Sequence, residues 1–177
     1  MGESALKMSE SRQQAFIEAP VEVVWELLRD VERHEEWWPR VTEVECEGLD
    51  EGLELGCTYR EVVQTPVGKD EMLLQVDRLD DCKELLIRCV NTGTFLHFLL
   101  TEAQDGTFLD AKFGMEPRKL QHRMFDLVAG KRYFRTWLRS SLDAMNQAAS
   151  DRVRRRKWAI LDSNQGPPPY QRGALTD

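Results

Sequence analysis

From Leu120 to Ala148 apolar residues recur at helical spacing, whereas from Arg40 to Met115 they alternate with a period of two. That change of period limits the fold more than any other feature of the chain. Leu120, Met124, Leu127, Val128, Phe134, Leu138, Leu142, Met145 and Ala148 make one stripe, with Arg123, Arg132, Arg135, Arg139 and Asp143 opposite. A helix so patterned lays one face on a partner surface and turns the other to water. Lys131 and Ser141 interrupt the stripe, and a bend is expected at Gly130, because glycine costs about 1 kcal/mol relative to alanine inside a helix. Roughly 30 residues of helix reach about 45 Å, enough to span a sheet.

The partner surface is the alternating region. Strands are predicted over 41–46, 57–64, 71–77, 84–90, 94–101 and 107–115. Turn residues punctuate them at Gly48 to Gly52, Thr65 to Gly68, Asp80-Asp81, Asn91 to Gly93 and Gln104 to Gly106, the pattern of an antiparallel meander. Upstream, residues 13–18 read as a further strand. Pro20 then opens a helical stretch with Val21, Val24, Trp25, Leu28 and Val31 on one face, and Pro39 stops it. The stretch is one helix, or two short ones broken near Asp30. Strand, helix, six strands and long helix make an α+β domain. Its curved antiparallel sheet can cover one apolar face only with the helices, leaving a hollow between them.

The chain has 177 residues, which fits one domain with short appendages. Residues 1–11 are polar, without periodicity, and are expected to be flexible; 12–150 carry the domain. Residues 151–177, basic over Arg152 to Lys157 and then proline-rich, are expected to be a disordered tail. The net charge is −7, and because six basic and three acidic groups lie in 151–177 the body stands near −10. So acidic a body repels a phosphate backbone, and nucleic acid is not an expected partner. Cys46, Cys57, Cys82 and Cys89 form no C-x-x-C pair, and the expectation is reduced, structural thiols in a cytoplasmic protein. No apolar run approaches the roughly 20 residues that span a bilayer, so stable membrane insertion is not expected.

Ile17-Glu-Ala-Pro20-Val-Glu-Val-Val-Trp25-Glu-Leu-Leu-Arg-Asp30-Val, followed by Trp37-Trp38-Pro39-Arg-Val41, closely resembles the opening of the START-like (SRPBCC) superfamily, in particular its polyketide cyclase/dehydrase and lipid-transport branch. Gly106-Thr107 before the last strand resembles the same family's Gly-Thr hairpin. The resemblance implies a helix-grip fold: seven strands, two short helices after the first and a long C-terminal helix around an apolar cavity. It implies a binding or carrier protein for a lipid, isoprenoid or polyketide-like molecule. It carries no catalytic residue over. Two other readings stay open: an aromatase/cyclase-type enzyme acting on a polyketide, and an interaction module of co-chaperone or coenzyme Q-associated type. The C-terminal Asp162-Ser-Asn-Gln-Gly-Pro-Pro-Pro-Tyr-Gln-Arg-Gly-Ala-Leu-Thr-Asp177 is similar to the peptide read antisense through a transfer-RNA gene.

If the cavity exists, its expected lining is Trp38, Tyr59, Met72, Leu74, Val76, His97, Leu109, Ala111 and Phe113 from the first half and the strands, with Met124, Val128, Phe134 and Leu138 from the long helix. Acid–base chemistry would need polar groups aimed inward, and Tyr59, Arg88, His97 and Asp110 are the candidates. Their registers are open, since a shift of one residue reverses a strand. His97 draws most interest, lying among Phe95, Leu96, Phe98 and Leu99. Trp37 and Trp38 either pack the helix end or form a mouth. His34, His97 and His122 fall in different elements, so no metal site is expected, and no cofactor. Neither a nucleophile motif nor a phosphate-binding glycine loop occurs.

Overall fold

The computed structural model describes residues 9–46, 52–65, 68–116 and 131–164. Strand β1 is Ser9–Ile17, followed by helix α1 (Val21–Arg29), a 3₁₀ turn at Val31–Arg33 and helix α2 (His34–Trp37). Then come β2 (Val41–Glu45), β3 (Thr58–Thr65), β4 (Gly68–Asp80), β5 (Glu84–Cys89), β6 (Thr94–Ala103), β7 (Gly106–Met115) and the long helix α3 (Lys131–Asn164). The strands form one antiparallel sheet in the order β1-β7-β6-β5-β4-β3-β2. This is the helix-grip α+β architecture: six strands as a meander, with β1 closing beside β7.

One face of the sheet is the core. Ile17, Leu74, Val76, Leu85, Ile87, Phe98, Leu100, Leu109, Ala111 and Phe113 are buried there, and Phe134, Leu138, Leu142, Met145 and Ala149 of α3 are buried with them. Ser141, which interrupts the apolar stripe, is buried with its hydroxyl donating to the Trp137 carbonyl, 3.0 Å away. Asp30 breaks the first helical stretch, and α1 buries Val24, Leu27 and Leu28.

The residues of the opening and hairpin motifs have visible structural tasks. The Pro20 carbonyl receives the Val23 and Val24 amides, so the chain enters α1 without a side-chain cap. Thr107 donates to the buried Ala19 carbonyl at 2.9 Å. At Gly106 a β-carbon would lie 2.3 Å from the Ile17 carbonyl oxygen, so only glycine lets β1 close on β7.

The structure departs from the sequence-based boundaries in three places. β1 starts at Ser9, inside the segment expected to be flexible, because Ser9 to Arg12 pair with Met115 to Lys112 and the partner strand supplies the order. β4 runs from Gly68 to Asp80, longer than predicted, with Asp77 as an extra residue in a bulge between the pairs Val76–Ile87 and Arg78–Leu86. α3 continues to Asn164, so 151–164 are helical rather than a structureless tail. Arg152 pairs with Asp30 at 3.2 Å, and Arg156 bonds to Glu26, which fastens the extra turns to α1. The predicted bend at Gly130, the stripe residues Leu120 to Val128, His122 and the segment 165–177 lie outside the described residues.

Candidate functional site

The first side chain to place is Glu61. In β3 the buried positions are Tyr59, Glu61 and Val63, which share a parity, so the carboxylate points into the core with its apolar neighbours. His34, the first residue of α2, meets it: Nδ1 lies 2.8 Å from the Glu61 Oε1, and both side chains are 3% exposed. The other ring nitrogen, Nε2, lies 3.1 Å from the Leu28 carbonyl oxygen near the end of α1. A carbonyl can only accept, so Nε2 carries a proton. One further proton then lies between Nδ1 and the carboxyl group. Whether it sits on nitrogen or on oxygen, the pair has no net charge. The pair ties α1, α2 and β3 together.

Around this pair the walls are aromatic and aliphatic. His34 and Glu61 line a cavity with Trp37, Trp38, Tyr59, Met72, Leu74, Ile87, Thr94, Phe95, Leu96, Phe113 and Trp137. Its volume is about 30 Å³, room for a water molecule or two and not for a lipid. Among the described residues this part of the seam between sheet and helix is mostly filled, and large rings fill it. Trp38 stacks on Trp137 at 5.2 Å between centroids, Phe113 meets Phe134 at 4.7 Å, and Trp37 meets Phe98 at 5.8 Å. The tryptophan pair resolves into two roles. Both line the cavity, but Trp37 is also pinned to α1, its indole donating to the Leu27 carbonyl at 2.9 Å, whereas Trp38 stacks on α3. Trp137 is 5% exposed, and its indole N–H has no acceptor among the described residues. Burial above all pushes the Tyr59 phenol well above its ordinary range, so it stands as a neutral hydroxyl near the His34 ring.

Of the expected lining, Trp38, Tyr59, Met72, Leu74 and Phe113 are in the wall. Val76, Leu109, Ala111, Phe134 and Leu138 are buried core outside it, and Met124 and Val128 lie outside the described residues. His97 is a correction. In β6 the inward parity belongs to Leu96, Phe98 and Leu100, so His97 falls on the outer face, 2.8 Å from Glu84, which also accepts from Arg78 at 3.1 Å. Arg88 and Asp110 are outward too. Arg88 pairs with Asp77 at 2.8 Å and Glu116 at 2.6 Å, and Asp110 binds Arg12. Hydrogen bonding from Arg12 holds the Asp110 carboxyl below its ordinary range, and the bond from His97 does the same for Glu84. Of the four acid–base candidates only Tyr59 faces the cavity.

His34 and Glu61 were missed, although a signal existed for each. Glu61 has the parity of Tyr59, so placing Tyr59 inward places Glu61 inward. His34 continues the spacing of Leu28 and Val31 toward Trp38. Among the described residues no cluster of His, Cys, Asp and Glu is arranged to hold a metal ion, and no helix is long and apolar enough to cross a membrane.

The sequence model of one family, polyketide cyclase/dehydrase and lipid transport, matches residues 8–150. The chain belongs to that family. No curated protein matches it. Solved structures of the same fold include a START superfamily protein from Mycobacterium smegmatis, 14% identical with a TM-score of 0.61, covering 84% of this chain and 99% of that one. A protein from Nitrosomonas europaea is 17% identical with a TM-score of 0.59, covering 81% and 96%. A protein in the dynemicin biosynthetic locus is 18% identical with a TM-score of 0.55, covering 78% of this chain and 46% of that one. At such identities the family's fold is what these structures share with the chain. The family as described spans ligand carriage and cyclase-type chemistry.

Proposed function

We propose that this family member binds a small, mostly apolar molecule at the seam of α2, α3 and the sheet, as a binding or carrier protein. The observation that carries this reading is the buried His34–Glu61 pair opening onto a cavity whose other walls are aromatic and aliphatic. A few fixed polar groups in an apolar pocket orient a ligand while burial supplies the affinity. At about 30 Å³ the cavity is closed to such a guest as it stands, so binding has to part the walls. The Trp38–Trp137 stack is where they part. It joins the residue just after α2 to α3 through ring contact, and the Trp137 N–H holds no acceptor among the described residues. The bound state is then a less populated conformation that the ligand stabilises.

Native mass spectrometry of freshly purified protein should show a co-purifying apolar molecule. Titration with the neutral fluorophore N-phenyl-1-naphthylamine should saturate and quench tryptophan emission. Ile87→Phe, which adds volume to the cavity wall, should weaken that binding at least tenfold. A clean apo spectrum together with no saturable binding would refute the reading.

One arrangement favours the cyclase-type alternative: the Tyr59 hydroxyl and the His34–Glu61 pair share the cavity, giving acid and base groups in one place. Dehydration of a polyketide analogue, lost in Tyr59→Phe with the fold intact, would decide for it. The interaction-module reading has less support. Phe16 and Phe108 are exposed as a pair on the outer face, but the Arg12–Asp110 ion pair interrupts the surface beside them.

A further inference from the structure

Arg40 joins a left-handed backbone angle to an exposed guanidinium that hydrogen-bonds the Tyr133 side chain and meets no carboxylate among the described residues. It follows Pro39 at the junction of α2 and β2 with φ at 90°, a left-handed conformation that side-chain-bearing residues rarely adopt. Glycine would fit there without strain, yet the sequence has arginine. Strain retained at one position points to a task for that side chain. The Arg40 guanidinium lies 5.3 Å from the Tyr133 ring centroid and 5.7 Å from that of Trp137, over the aromatic seam beside the cavity. The residue is solvent-exposed and makes no ion pair among the described residues. The indole N–H of that same Trp137 is buried without an acceptor among the described residues.

We propose that this rim selects ligands carrying an anionic head, with Arg40 as the recognition residue and the Trp137 N–H as a second donor. The inference rests on the cavity being a ligand site, and adds the charge of what enters it. Guanidinium and indole N–H groups donate and do not accept, so a group lying against both must bring acceptor oxygens. A carboxylate, sulfonate or phosphate does so, and a guanidinium gives it a charge-assisted bond. The cavity does not oppose that charge, because the His34–Glu61 pair is neutral for either position of its shared proton. Asp70 is the acidic group whose field reaches Tyr133, and no carboxylate stands within ion-pair distance of Arg40 among the described residues. In a chain of net charge −7, a cation held over an aromatic seam by a tyrosine and by no carboxylate among the described residues is a local exception that would sort ligands by head group.

Two fluorophores with one ring system make the test: 1-anilinonaphthalene-8-sulfonate, which is anionic, and neutral N-phenyl-1-naphthylamine. Affinities are measured for the full chain, Arg40→Gln and Arg40→Gly, the last chosen because glycine accepts the backbone angle and so keeps the fold. Both substitutions should weaken the sulfonate about tenfold and the neutral probe less than twofold, the worth of one charge-assisted bond. Trp137→Phe should weaken the sulfonate by a smaller factor. Equal losses for the two probes would make Arg40 a wall residue and overturn the inference, as would an unchanged sulfonate affinity. If the neutral probe binds the unmodified chain and the sulfonate does not, the charge assignment fails alone. If neither binds, the cavity reading fails and takes this inference with it.

Discussion

Two histidine–glutamate pairs of equal length lie on opposite sides of this sheet, and almost everything else about them differs. His34 and Glu61 approach to 2.8 Å with each side chain 3% exposed, whereas His97 and Glu84 approach to 2.8 Å at 16% and 25% exposed. The inner pair bonds onward to the Leu28 carbonyl and joins three elements beside a cavity. The outer pair shares Glu84 with Arg78 and belongs to a surface network. One chemistry thus serves two purposes, and burial decides which. Inside, an unmade bond is cut off from bulk solvent. Outside, solvent substitutes for whatever is lost.

The comparison is broken most directly by removing one partner on each side. His34→Ala leaves Glu61 alone in the core and should destabilise the domain by about 3 kcal/mol or more. His97→Ala should cost less than about 1 kcal/mol. Urea denaturation of both at neutral pH measures the contrast, and equal losses would show that the inner pair is not the tie described. Replacing both inner partners at once sharpens the result. His34→Phe with Glu61→Leu keeps apolar volume and should recover most of the single-variant loss, since a buried polar pair is seldom better for stability than packed hydrocarbon. The double variant should still lose recognition of a ligand's polar group. Recovery of both stability and binding would reduce the pair to scaffolding.

The two pairs also show what could be read from the chain. Period and punctuation gave the element order, because alternation and helical stripes come directly from which side of each element is wet. The family motifs were legible for the same reason: Gly106 and Thr107 answer to close backbone approach and an otherwise unpaired carbonyl, demands that recur wherever this fold is built. The site was less legible. His97 drew notice through its aromatic neighbours in sequence, but adjacent residues in a strand face opposite ways, and Phe98 took the inside. Strand length was set by partners: Ser9 to Arg12 have no pattern of their own and are ordered by β7. The free volume of the core was not legible at all. Whether a sheet and a helix enclose a hollow depends on rotamers, and here Trp38, Phe113 and Trp137 turn into the seam and pack ring against ring.

The smallest expected difference lies in acid and isolates the outer pair. The Glu84 carboxyl is held below its ordinary value of 4.5, first by the hydrogen bond from His97, with burial opposing and Arg78 assisting. A carboxyl lowered on folding binds fewer protons in the folded chain than in the unfolded one, so stability increases with pH across that interval. The contribution is complete above about pH 4.5 and fades as the pH falls through the folded value. Glu84→Gln should therefore be less stable than the unmodified protein at pH 7 by under about 1 kcal/mol. The gap should close as the pH drops below 4.5, whereas the Arg12–Asp110 bond keeps a similar acid dependence present in both proteins. Thermal midpoints recorded from pH 7 to pH 2.5 at low salt read this directly. A gap that persisted undiminished at pH 2.5 would mean that Glu84 acts by packing rather than by charge, and the outer pair would then resemble the inner one more than its exposure allows.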